Sequence, residues 1–276
     1  MNRSFKKSLL LMRNRVLSYF FVQNNLGFAW SILPSFVRQR LPINSVAIGF
    51  FKTGIFRWRL HPGELIGRKY FSFGFRKYQP STQAYLKDFY NNRKDKEITF
   101  LNIGANVGIW PLLISMKHQR TRFLLVEPLP QNLQLLETNL QMNHICNFEI
   151  FDFAAGKENK SLIIYQNNDL LGMSSAHVKT DIPVYVQVKR IDQIIHEKID
   201  LILIDVEGFE LEVMEGLSSL LKKYLPPVIV EVSEETFGQL NQLMSNLGYA
   251  SGDWLSKEEE YKEQNKDVLF QALDAL

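Results

Sequence analysis

Three carboxylates stand within six residues in the run Asp205-Val-Glu-Gly-Phe-Glu210, directly after the apolar stretch Ile199-Asp-Leu-Ile-Leu-Ile204. The apolar stretch reads as a buried strand, so the acids fall at its C-terminal end, where open α/β sheets hold their ligands. Asp205 and Glu207 are placed to take a proton from a hydroxyl, a service worth about 10²–10⁴-fold in rate. Glu231, in the apolar run Ile229-Val-Glu-Val232, is a further candidate, and His177 has the intrinsic pKa best suited to the task. Glu210 and Glu212 read instead as the solvated or N-terminal face of the following helix, where the dipole favours them. Asp205, Glu207 and Glu231 also carry the hard oxygens that Mg²⁺ takes. Nothing in their spacing demands an ion, however, and no metal is expected. The chain has no C-x-x-C or H-E-x-x-H to suggest zinc.

A second constellation lies upstream. Phe100 to Leu113 runs from an apolar strand through a glycine turn into an apolar, helix-like segment. Gly104, Ala105, Asn106 and Gly108 keep that turn thin and leave backbone N–H groups to face a small polar ligand. The spacing is G-x-x-x-G, neither a dinucleotide fingerprint nor a phosphate loop, and no lysine follows Gly108 to meet a nucleotide phosphate. The next apolar run, Phe123 to Val126, ends in Glu127. An acid there, about twenty residues past the turn, accepts hydrogen bonds from ribose hydroxyls in doubly wound sheets. Pro130 to Met142 reads as a helix with Leu133, Leu136 and Leu140 on one face, and Phe148 to Asp152 as a third strand.

Taken in order, NIGANVG, VEPLPQN and LILIDVEGFELEVMEG resemble the FkbM family of S-adenosylmethionine-dependent methyltransferases, over about Glu97 to Gly248. The resemblance implies a Rossmann-like class I methyltransferase sheet, an α/β fold with helices on both faces. It implies S-adenosylmethionine held by Asn102, Gly104, Ala105, Asn106, Gly108, Glu127 and Asp205. Asp152 is similar to the family's residue near the adenine, with Phe153 as a flat apolar wall. Arg190-Ile-Asp192 matches a short family motif, in which Asp192 reads as a structural cap. The loop bearing Ser174, Ser175 and His177 falls on the substrate side. Two positions depart from the family pattern: Asn102 stands where an aspartate is usual, and Leu203 where a lysine is frequent. The implied reaction is methyl transfer to a hydroxyl of a sugar, glycolipid or secondary metabolite. A nucleic-acid methyltransferase and a degenerate cofactor-binding protein without activity are the alternatives.

These residues need one catalytic domain to position them, and a chain of 276 residues has the length for it with an extension besides. Residues 1–97 hold 18 Lys+Arg against 4 Asp+Glu, whereas residues 98–276 hold 14 against 25. The expected division is therefore a basic N-terminal extension, 1–97, and a methyltransferase domain, 98–276. Within the extension, residues 1–30 suggest a basic amphipathic helix too interrupted by Arg13 and Arg15 to span a membrane. Val46–Phe51, Ile55–Leu60 and Tyr70–Phe75 read as strands, with a turn at His61-Pro-Gly63. Ser81 to Tyr90 reads as a helix that caps the cofactor pocket. Ser161–Tyr165 and Val184–Val188 read as an inserted hairpin. The single cysteine, Cys146, excludes an intrachain disulfide and reads as a packing residue. The expectation is a cytoplasmic protein with a small-molecule, glycan or glycolipid acceptor, its basic part suited to an anionic membrane surface more than to nucleic acid.

Overall fold

The computed structural model describes residues 46–51, 54–59, 78–166, 174–175, 182–255 and 265–273. The expected helix within residues 1–30, the turn at 61–63, the strand at 70–75 and His177 lie outside the described residues.

The described chain opens on an antiparallel hairpin, β1 (Val46–Phe51) and β2 (Gly54–Arg59), with Val46 opposite Arg59. Helix α1 (Pro80–Asn91) follows, started by a proline in its first turn, where the missing N–H costs nothing. The chain then alternates strand and helix: β3 (Ile98–Ile103), α2 (Ile109–Ser115), β4 (Thr121–Val126), α3 (Pro130–Met142) and β5 (Phe148–Phe151). A side unit comes next, made of β6 (Ala154–Ala155), β7 (Lys160–Gln166), β8 (Ser174–Ser175) and β9 (Ile182–Lys189). The chain returns through β10 (Leu201–Ile204), α4 (Glu210–Tyr224), β11 (Val228–Ser233) and α5 (Glu234–Asn246), and ends in β12 (Asp253–Trp254) and β13 (Asn265–Phe270).

The main sheet has the order β12-β13-β11-β10-β3-β4-β5. Its five central and edge strands from β11 to β5 are parallel, and β13 closes the other side antiparallel to β11. From β3 the chain winds outward through β4 to β5, then crosses back to β10 and winds the other way. The strand order therefore reverses between β3 and β10, the place where such sheets open a ligand crevice.

Both faces of the sheet are covered, which is why its strands read as near-continuous apolar runs. Phe100, Phe123, Leu201 and Leu203 pack with Leu86 of α1, Trp110 and Leu112 of α2, and Leu136 of α3. The alternate residues Leu101, Ile103, Leu124, Ile202 and Ile204 pack with Val213, Leu217 and Leu221 of α4 and Leu240 of α5. Helix α1 thus shares a core with β3 across the expected boundary at residue 97. In α3 the buried stripe is Asn132, Leu135, Leu136, Asn139 and Leu140. Leu133, expected inward, is only half-buried. The expected inserted hairpin forms from β7 and β9, with Ser161 opposite Gln187.

Charge and caps fix the later helices. Glu210 and Glu212 lie in the first turn of α4 and Lys222 and Lys223 in its last, each sign at the favourable end of the dipole. Ser233 caps α5 by accepting the Thr236 N–H at 3.3 Å. The 3-10 turn Ile191–Gln193 is tied to α4, since Asp192 pairs with Arg190 at 2.7 Å and accepts from the Ser219 N–H at 3.4 Å. Asp192 thus joins this turn to α4, and no side chain caps the turn itself.

Gly216 in α4 faces the Gly156 carbonyl so closely that a Cβ would run into that oxygen. Gly216→Ala should lower stability by about 1–3 kcal/mol, although alanine is the better helix former. Urea unfolding of the two forms, read at matched slope, checks this.

Candidate functional site

The turn after β3 is held from three sides. The N–H groups of Gly104 and Ala105 both donate to the Val126 carbonyl at 2.9 Å, tying the turn to the end of β4. Asn139 of α3, wholly buried, donates from Nδ2 to the Val107 carbonyl at 2.8 Å. The Asn106 N–H donates to Glu127 Oε2 at 2.9 Å. Three residues of the turn take positive φ: Gly104 (78°), Asn106 (49°) and Gly108 (92°). Gly104 is obligatory for a second reason, since a Cβ there would collide with the Asp205 carbonyl at the end of β10. Gly104 thus lets the turn after β3 lie directly against the backbone at the end of β10.

Glu127 is buried at 3% exposure. Its Oε1 accepts from the Leu129 N–H at 3.0 Å and from Asn132 Nδ2 at 3.1 Å. Burial pushes its pKa up to about 7, against the pull of these bonds and of the Asn106 N–H, and the charge of Asp205 raises it further. Asn102 is fully buried at the base of the turn, with Nδ2 turned to the Leu203 carbonyl at 3.5 Å and Oδ1 without a partner. An orphaned acceptor beneath a glycine cradle suits a ligand that brings a donor, such as an ammonium group.

The acids converge on Asp205. It lies just past β10, half-buried. Glu231 of β11 is hydrogen-bonded to Asp205, and the Asp205 charge, then burial, drive its pKa far upward. Two carboxylates this close hold one proton between them. Asp267 of β13 lies opposite Glu231 in register, buried at 3% exposure and accepting from the Thr82 hydroxyl of α1. Burial lifts Asp267 to about 7, with Asp205 adding to the shift. Glu207 is exposed and left-handed (φ 52°), followed by Gly208 (φ 96°). Glu210 is buried at 4% exposure and turns back to accept the Gly208 N–H at 2.7 Å. It pins the turn, so the solvated reading of Glu210 is corrected.

The structure therefore brings together Asn102, Gly104, Ala105, Asn106, Gly108, Glu127 and Asp205, with Glu207 at the rim. Asp152 is exposed at the end of β5. Phe153 is buried in the α4-side core beside Phe151, with Lys189 Nζ 4.9 Å from its ring centre. Cys146 is exposed, which corrects its reading as a packing residue. Sequence reasoning missed Asn132, Asn139, Asp267 and Thr82. The signal for the first two was available: amides seven apart on α3 lie on one face, here the inner one. Among the described residues, no group of three His, Cys, Asp or Glu is arranged to hold a metal ion.

The sequence profile described as "Methyltransferase FkbM domain" matches residues 102–251, from the buried Asn102 to just past α5. The chain belongs to the FkbM methyltransferase family. Two curated relatives are fungal. Methyltransferase 1 of Beauveria bassiana is 22% identical over 177 residues, covering 54% of this chain and 71% of the relative. Methyltransferase sdnD of Sordaria araneosa is 24% identical over 187 residues, covering 54% and 72%. The crystal structure of Methyltransferase FkbM from Methylobacillus flagellatus KT superposes with a TM-score of 0.48 at 17% identity, over 67% of this chain and 47% of that one. This chain thus spans about half of the bacterial protein. The mostly parallel sheet, with helices on both faces, is the Rossmann-like arrangement expected for an FkbM domain. No described helix is long and apolar enough to cross a membrane.

Two outcomes follow from these electrostatics. Glu127 and Asp267 have folded pKa values raised to about 7, so each binds its proton more tightly in the folded state. Their contribution to stability is full below the unfolded values near 4 and is lost as pH rises through 7. The cofactor-free chain should melt higher at pH 6 than at pH 8, by about 1 kcal/mol per group, and Asp267→Asn should remove part of the difference. Calorimetric melts at the two pH values decide it. The FkbM domain's departures at Asn102 and Leu203 are opposite one another in register. Asn102→Asp alone therefore places an unpaired charge in a dry site and should cost about 3 kcal/mol, with Leu203→Lys recovering much of it. Denaturant titration of the single and double variants measures this.

Proposed function

We propose that this FkbM domain is an S-adenosylmethionine-dependent O-methyltransferase acting on a hydroxyl of a sugar, glycolipid or secondary metabolite. One observation carries the reading. A proton-sharing carboxylate pair, Asp205 and Glu231, stands at the C-terminal ends of β10 and β11, beside the glycine cradle of β3. The cradle, Glu127 and the orphaned Asn102 Oδ1 fit a ligand with a diol at one end and an ammonium at the other.

When bound, S-adenosylmethionine supplies an electrophilic sulfonium methyl. The chain's part is to hold acceptor and donor in line, which is worth roughly 7–11 kcal/mol of the barrier. An aliphatic hydroxyl is a weak nucleophile and gains from a base. The ionised member of the Asp205–Glu231 pair takes the hydroxyl proton as the oxygen attacks. Glu207, exposed at the rim and held left-handed, is placed to meet acceptor hydroxyls. The basic residues 1–97 favour an acceptor carried on an anionic glycan or membrane surface.

The full chain should bind S-adenosylmethionine and S-adenosylhomocysteine in calorimetry. It should also transfer a labelled methyl to glycan or lipid extracts of its source cells. Asp205→Asn should lower transfer by about 10²–10⁴-fold. A chain that binds neither compound would sink the proposal. Transfer to RNA but to no hydroxyl-bearing extract would replace it with the nucleic-acid alternative.

A further inference from the structure

We propose that Asn132 is a positioning residue for the cofactor's ribose, acting through Glu127. The proposal rests on the S-adenosylmethionine reading above. Asn132 sits in the first turn of α3 at 3% exposure, within a stripe otherwise filled by leucines and Asn139. A leucine there would add apolar burial, so an asparagine must return something for the cost of its own desolvation. What it returns is the bond from Nδ2 to Glu127 Oε1 at 3.1 Å. Only the NH₂ end of an amide can donate to a carboxylate, so the chemistry fixes which way Asn132 points.

Lone-pair counting shows the consequence. Oε1 has room for two donors and is filled by Asn132 Nδ2 and the Leu129 N–H. Oε2 receives the Asn106 N–H and keeps one acceptor position. The capacity of Glu127 for a ligand hydroxyl is thereby confined to Oε2, on the side of the glycine turn. Asn106 Oδ1, carried by the residue bonded to that same oxygen, is buried without a partner. Oε2 and Asn106 Oδ1 are two acceptors for the two O–H donors of a vicinal diol. Asn132 Oδ1 is likewise without a partner, so the amide is held by its donor end alone. If Asn132 is lost, Oε1 regains a free lone pair and the carboxylate can rotate away from the turn.

The same bond favours the ionised form of Glu127 against burial. The charged groups facing it are few. Asp205, past the end of β10, is the acid whose charge reaches it. The turn of residues 104–108 carries no titratable side chain, and Glu137 of α3 and Asp152 after β5 are exposed. With burial pressing for protonation, each hydrogen bond to the carboxylate counts directly against it.

The test is titration of S-adenosylhomocysteine into the full chain by calorimetry, at steps from pH 6 to pH 9. In the natural sequence, affinity should fall about tenfold per pH unit below a midpoint near 7. Asn132→Leu should move that midpoint up by roughly one to two pH units and bind within a few-fold of the natural chain at pH 9. Glu127→Gln should bind weakly, and adding Asn132→Leu to it should not shift its pH profile. Asn132→Gln, which keeps the donor, should bring the midpoint back toward that of the natural chain. Should Asn132→Leu not fold, Asn132→Ala is read for the same shift. A variant without the donor, Asn132→Leu or Asn132→Ala, that folds and keeps the natural midpoint, or that weakens binding equally at every pH, overturns the proposal. If the natural chain binds nothing at any pH, the cofactor reading itself has failed.

Discussion

Four parts of the fold meet on the carboxylate of Glu127: the end of β4 that carries it, the turn after β3, the entry to α3, and α3 itself. Burying a carboxylate is costly, and three donors reduce that cost without abolishing it, as the raised pKa records. In return, the Asn106 and Leu129 N–H groups, which neither strand nor helix can satisfy, gain a charged acceptor. The left-handed Asn106 depends on the same bond, because a non-glycine residue at φ 49° persists only where its surroundings hold it there. The shape of the cradle is therefore set by one ionisable group. A site organised this way is formed before any ligand arrives, and its formation is tied to proton binding.

The second organising feature is a concentration of negative charge. Asp205 raises the pKa of Glu127 after β4, Glu210 at the start of α4, Glu231 within β11 and Asp267 within β13. A fold optimised for stability alone would not gather acids that protonate one another near neutral pH. Such an arrangement stores unfavourable energy that a cationic ligand releases on binding. Asp267 and Thr82 show how far the arrangement reaches. They come from β13 and α1, outside the matched residues 102–251, yet they form the outer wall of the same acidic group. The family match ends where the acid cluster does not.

What was legible in the sequence, and what was not, follows from the range of the forces involved. The parallel strands announced themselves because both their faces are buried, so Phe123–Val126 and Leu201–Ile204 contain nothing but apolar residues. The glycine turn and Glu127 were legible as local punctuation at strand ends. The partnership of Thr82 with Asp267 was not, because it spans 185 residues and depends on a strand order no local pattern encodes. Of the two readings of Glu210, the N-terminal face of α4 holds and the solvated one does not, since its side chain bends back to the Gly208 N–H and is covered. Asn132 and Asn139 were not singled out, because the reading of α3 rested on its leucines alone. They face inward, where Asn132 donates to the Glu127 carboxylate and Asn139 to the Val107 carbonyl of the turn after β3.

The register also joins two differences that the sequence presented as separate. Asn102 and Leu203 are opposite residues on the paired strands β3 and β10, both buried and both on the face that packs against α1, α2 and α3. An aspartate and a lysine at these positions would be neighbours of opposite charge in a dry layer. Exchanging such a pair for an amide and an aliphatic side chain is close to neutral for stability, provided both change together. Either change alone would strand a charge. The two departures from the family pattern therefore fall on one register pair, and together they amount to the replacement of a potential buried ion pair by two uncharged side chains. Its effect on folding cancels, while its effect on the ligand does not. The base of the crevice now offers an uncharged acceptor, Asn102 Oδ1, in place of an anion. The negative charge near the crevice is then that of Asp205, past the end of β10, with Glu231 of β11 and Asp267 of β13 beside it.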